Sequence, residues 1–323
     1  MKKLLYWLVS IFTITVIVSS CSDCPPATTD YEKIRQSLNV SPCSNGTFTR
    51  SSSSDEDSSS SDNSSSSSSG SGIFIGVGNS GNIVLSTDNG SSFDNVTSST
   101  AERLRGVTFG NEIFVAGDTT GNIVRSTDNG STWDNATSPT SNALRGVSFG
   151  NDIFLAVAVS GNILRSTDNG SSFDNATSPT SNSLIGITFG NDIFVAVGNS
   201  GNIVRSTDNG SSFDNATSPT GNNLWGIEFG NDIFVGVGVS GNILRSTDNG
   251  STWDNVTSNL PDNSTYDLLG VTFGNDIFVA VGKSGNIVRS TDNGSTWDNA
   301  TSPTGNALYG VTFGNDIFVA VGA

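Results

Sequence analysis

No histidine occurs among the 323 residues. That absence removes the imidazole base, every Ser/His/Asp relay and the commonest metal ligand. Positive charge is scarce: 14 Lys and Arg face 30 Asp and Glu, for a formal net charge of −16. Nucleic acid is excluded as a partner, because phosphate binding needs Lys and Arg. Cysteine is nearly absent, with three in all, at positions 21, 24 and 43. Three Cys without His do not make a zinc site. Neither a cofactor nor a metal site is assigned.

What is there begins with an export signal. Lys2 and Lys3 precede an apolar run, LLYWLVSIFTITVIV at 4–18, too short for a comfortable membrane span. The run ends in VSSC at 18–21, which resembles a bacterial lipobox. That resemblance implies a lipoprotein signal peptide over 1–20 and lipidation of Cys21. An ordinary secretory peptide cut near Ser20 is the alternative. With Cys21 lipidated, Cys24 and Cys43 remain, and an exported protein can pair them as a disulfide. The expected product is an exported bacterial lipoprotein, anchored on the periplasmic side of a membrane or at the cell surface.

Residues 21–50 form a short mature N-terminus. In residues 51–71, 15 of 21 positions are Ser. Such a segment has nothing to bury and is expected to be a disordered tether.

From Gly72 to 323 the chain repeats. STDNG begins at 86, 126, 166, 206, 246 and 290, and a period near 40 with several short strands is that of a β-propeller blade. One unit reads as four strands: LIGITFG (184–190), IFVAVG (193–198), NIVRS (202–206) and SSFDNAT (211–217). Turn signals GND, NSG, TDNG and SPTSN separate them. The second strand is apolar throughout, as expected where both faces are covered. The class is therefore all-β, a propeller of four-stranded blades. Strand counting favours six blades, with Leu308–Gly314 completing the blade that opens at Gly72; seven blades is the alternative.

The repeated S-T-D-N-G-S-[ST]-[FW] resembles the Asp box of sialidases and related propellers. The longer unit, with GVTFGND-IFVAVG ahead of each box, is most similar to photosystem II assembly-factor propellers and their bacterial relatives. The resemblance implies that the box is a hairpin turn remote from the ligand face. Asp88, Asp128, Asp168, Asp208, Asp248 and Asp292 are then structural, accepting backbone N–H bonds in a tight turn. Phe93, Trp133, Phe173, Phe213, Trp253 and Trp297 are expected to pack between blades. Calcium is the alternative use of the box, but two Asp per turn are thin for a cation wanting 6–8 oxygens. The Arg before each box (Arg125, Arg165, Arg205, Arg245, Arg289) is expected to pair with a nearby Asp.

Loops alternate between two faces of a propeller. The FGND and STDNG turns share one face and are nearly invariant; the other two connections vary. The residue after the Leu that opens each first strand is Arg105, Arg145, Ile185, Trp225, Leu269 and Tyr309 in turn. These six are expected to ring the mouth of the central channel, with Tyr266 leaning over it. Constant scaffold with divergent loops is how binding sites are commonly built, although drift at tolerant exposed positions would give the same pattern.

The expected function is a non-catalytic binding or assembly scaffold for a protein or glycan, held at a membrane by a lipid anchor. A sialidase-like glycoside hydrolase is the second reading, loosely evoked by Arg105, Arg145, Tyr309 and Glu228. No independent catalytic motif supports it, and Glu228 reads as a surface change in a first strand. A repeat-based surface adhesion protein is the third.

Overall fold

The computed structural model describes residues 72–256 and 266–322, together with the backbone of residues 4–7. The signal peptide beyond those four residues, Cys21, Cys24, Cys43 and the Ser-rich tether lie outside the described residues.

The described residues form seven sheets arranged as propeller blades. Blades II to VI have four strands each. In blade IV, for example, they are Leu184–Gly190 (inner), Ile193–Gly198 (second), Ile203–Ser206 (third) and Asp214–Asn215 (outer). Neighbouring strands are antiparallel throughout the blade. The inner-to-second turn is a two-residue hairpin. In blade IV its central residues, Asn191 and Asp192, have φ of 49° and 61°. Asn and Asp tolerate that left-handed region, which a type I′ turn requires at both positions. The N-D of every FGND is therefore a backbone requirement.

The second strands of blades II to V are buried along their length because successive blades pack on both of their faces. One core cluster joins Ile193, Val195 and Val197 of blade IV to Ile227, Phe234 and Trp253 of blade V. The box aromatics Trp133, Phe173, Phe213, Trp253 and Trp297 are buried between blades, as expected, whereas Phe93 of blade I is only half-buried. Two glycines set how closely inner strands approach. A Cβ on Gly190 would sit 2.1 Å from the ring of Phe229 in the next blade, and the same holds for Gly110, Gly150, Gly230 and Gly274. A Cβ on Gly186 would lie 3.1 Å from the Trp225 carbonyl.

The ring has seven blades, the alternative count, and the closure expected for six is not made. Leu308–Gly314 does not join blade I. It pairs with Ile317–Gly322 across the Asn315-Asp316 hairpin. The local two-residue turn closes with far less loss of chain entropy than a pairing across the whole domain. Blade VII then abuts blade I: Asn315 Nδ2 donates to Asn89 Oδ1 at 2.7 Å. This matches the contact that Asn151 makes with Asn209 in the next blade at 3.1 Å. Blade I holds Phe74–Val77, Ile83–Ser86 and Asp94–Val96, with no inner strand among the described residues. The third strand of the seventh sheet is Leu4–Trp7, parallel to Ile317–Ala320.

Candidate functional site

The Asp box saturates its own carboxylate. Asp128 Oδ1 accepts from Ser126 Oγ at 2.8 Å and from the Thr132 N–H at 2.9 Å, and Oδ2 accepts from Thr132 Oγ1 at 2.7 Å. Ser126 Oγ in turn accepts from the Gly130 N–H at 2.9 Å. Four hydrogen bonds are thus closed within one turn, and Asp134 lies on the outer strand beyond it. These bonds hold the box carboxylates below their ordinary range against the opposing effect of burial; for Asp292 the pKa falls to about 2, first through Thr296.

The box face is also stitched from blade to blade. Asn151 Nδ2 donates to Asp192 Oδ1 and to Asn209 Oδ1 of the next blade. The Arg before the box does not form the expected ion pair with Asp. Arg165, Arg205 and Arg245 donate through Nε to the carbonyls of Asn209, Asn249 and Asn293 in the following blade, at 2.7–2.8 Å. Asp174 and Asp214 are only their cross-strand neighbours. A carbonyl fixed by the left-handed Asn of the next turn is the better-aimed acceptor.

The opposite face carries the variable residues, and a backbone device places them. Each inner strand has a β-bulge at its second position, where the register skips from the opening Leu to the Gly. Arg105, Arg145, Ile185, Trp225, Leu269 and Tyr309 are the six bulged residues. A bulged residue has no cross-strand partner, so its side chain is re-aimed without disturbing the ladder. They form a continuous arc, one per blade: the Gly after each faces the carbonyl of the next, Gly106 toward Arg145, Gly146 toward Ile185 and onward to Tyr309.

The arc is chemically divided. Arg105 is exposed and Arg145 half-buried. Although the residue as a whole is exposed, partial desolvation of its guanidinium, then the charges of Arg145 and Arg103, bring the Arg105 pKa down to about 10. Burial and Arg103 lower that of Arg145. Arg103 is thus a third member of this basic group. Among the described residues no carboxylate lies within ion-pair distance of the three. Lys283, by contrast, is neutralised by Asp267 at 2.7 Å. The rest of the arc is apolar and aromatic. Tyr309 is 57% exposed, while the Trp225 Nε1 donor is buried without a hydrogen-bond partner. Tyr266 is half-buried beside Asp267; residues 257–265 of its link lie outside the described residues.

Sequence reasoning missed two buried carboxylates on this side. Asp118 accepts from the N–H groups of Thr120 and Asn122 and from the Thr100 hydroxyl, replacing with an Asp-held turn the 3-10 turn found in blades I and III to VI. Asp267 accepts from the Ser240 N–H at 2.9 Å. Glu228 is not the surface change expected. It is 3% exposed, its Oε1 accepting from the Phe229 N–H at 2.9 Å and facing the Thr188 hydroxyl at 3.4 Å. The fifth position of an inner strand faces the adjoining blade, so Thr108, Ser148, Thr188 and Thr272 are buried there too.

Seven blades, with an Asp-box turn at each described third-to-outer connection, make this chain a β-propeller. Residues 88–224 match the model of the DUF6242 beta propeller domain, and residues 230–304 that of photosynthesis system II assembly factor YCF48. Among solved structures, YCF48 bound to D1 peptide is similar at a TM-score of 0.63 and 17% identity, over 78% of this chain and 88% of that one. YCF48 from Cyanidioschyzon merolae gives 0.62 and 18%, over 78% and 89%. The computationally designed Ika8 protein gives 0.57 and 11%, over 80% and 96%. At such identities the likeness shows the fold. No curated protein matches the chain.

Proposed function

We propose that this propeller is a non-catalytic scaffold that holds an acidic segment of a partner protein against the bulged arc. One observation carries the reading: the six bulged residues place two guanidinium groups, Arg105 and Arg145, with Arg103 beside them, next to a run of Ile185, Trp225, Leu269 and Tyr309. Arg in this setting recognises carboxylates bidentately, and Trp and Tyr supply contact area at interfaces. A YCF48 structure holds a D1 peptide, which supports a protein segment over a glycan as the ligand. The hydrolase reading loses support because Glu228 is buried and spent on Phe229. It also lies three residues along the inner strand from the bulge, about 10 Å at strand rise.

The test is capture of partners from the native host with wild-type and variant protein. Arg105→Glu with Arg145→Glu, and separately Trp225→Ala with Tyr309→Ala, should each lower retention at least tenfold without altering the melting temperature. Retention unchanged in both variants would reject the site. The anchor belongs to the same proposal: labelled palmitate should enter the protein, and Cys21→Ala should abolish the label and release the protein to the soluble fraction.

A further inference from the structure

Among the described residues, blade I lacks the inner strand that every other blade has. Among the described residues, no strand pairs with the inner edge of Phe74–Val77. The gap shows on all three of its walls. Ile75, Gly76 and Val77 are half-buried, whereas Leu155, Ala156 and Val157 at the same places in blade III are buried. Val107 and Val311, on the inner strands flanking the gap, are half-buried, while Val147, Ile187, Ile227 and Val271 between them are buried. A Cβ on Gly270 would meet the Gly310 Cα at 3.2 Å in the next blade, but a Cβ on Gly310 would meet only Val321 of its own blade.

Counted along the sequence by the repeat period alone, the positions equivalent to an inner strand ahead of this blade read SSSSSSG, at 64–70. They carry no Leu, Val or Phe to fill the gap. The other six inner strands state what does fit. The third residue is Gly in all six, and in five of them the next-blade backbone, joined by a second-strand Val in two (Val157 against Gly146, Val237 against Gly226), comes within 2.6–3.4 Å of where a Cβ would stand. The sixth is Phe, whose ring covers the Gly of the preceding blade. The first is a buried Leu. The mouth of the gap is continuous with the bulged arc, flanked by Arg105 on one side and Tyr309 on the other.

We propose that this gap is a strand-addition site for an extended segment of another protein, of pattern Leu-x-Gly-[Val/Ile]-x-Phe-Gly, lying parallel to the neighbouring inner strands. Main-chain hydrogen bonds to the free edge give such pairing its affinity, and pockets for alternate side chains give its specificity. The parallel direction places the segment's N-terminal end at the arginine group, so acidic residues preceding the Leu fit best.

A fluorescent peptide, DDLLGVTFG, titrated into the full chain tests this. It should bind saturably, one per chain, and slow hydrogen exchange at the Phe74–Val77 amides. The peptide with Val in place of its first Gly should bind at least tenfold more weakly. Val77→Phe, which fills the space over that Gly, should abolish binding while retaining the melting temperature. Equal binding of the two peptides, no binding at millimolar peptide, or a gap already protected by residues 22–71 or by a second copy in the free protein would overturn the proposal. Trp225→Ala lies across the ring and should leave peptide binding intact, so loss of partner capture and loss of strand addition are separable.

Discussion

A single methyl group measures how tight the ring is. Gly190 carries no Cβ because the Phe229 ring occupies its place, 2.1 Å away. Gly190→Ala should therefore cost about 1–3 kcal/mol, the usual range for overpacking a filled core. Denaturant unfolding would show it, and a cost under about 0.5 kcal/mol would mean the blades are not in register as described. Arg165 illustrates the same scale. Its recurrence was visible in the sequence and suggested an Asp partner. The carbonyl it actually bonds belongs to Asn209, 44 residues on, and no local rule points across a blade boundary.

Elements explain why the two faces differ. At the box face each turn is closed on itself and bonded to the next, so a change in one copy disturbs two blades. The six box carboxylates make that face acid-sensitive. A carboxyl whose pKa is lowered on folding stabilises the fold while ionised, above the ordinary value of 3.8, and loses that contribution as pH falls through the folded value. For Asp292 that window runs from about 3.8 down to about 2; the other five shift in the same direction. The melting temperature should be flat from pH 7 to 5 and drop below about 4, the six contributions adding. Asp292→Asn should shallow that drop, and an unchanged profile would refute the assignment. At the other face the bulge frees one residue per blade from the ladder, which is why Arg, Ile, Trp, Leu and Tyr all stand at one position without altering the strand.

The whole molecule is a ring whose closure rests on contacts between its first and last blades. Among the described residues, Asn315 to Asn89 is the side-chain bond there. A double-mutant cycle of Asn315→Ala and Asn89→Ala should show a coupling of about 0.5–1 kcal/mol. Zero coupling would mean that blade VII does not meet blade I in solution. Closure on seven blades also explains the gap: the strand that a six-bladed ring would have lent to blade I is kept by its own hairpin.

The all-β class, the period, the Asp boxes and the strand order were legible in the sequence, because turn chemistry and two-residue hairpins are local and act within a few residues of the positions they constrain. The six residues of the arc were legible as well, since near-identical repeats expose any position that varies. Four features came only with the tertiary structure: the count of seven, the burial of Glu228, Asp118 and Asp267, the grouping of Arg103 with Arg105 and Arg145, and the open inner edge of blade I. Each depends on how close one blade comes to another. That distance is set by packing around the closed ring, and the sequence of a single repeat does not contain it.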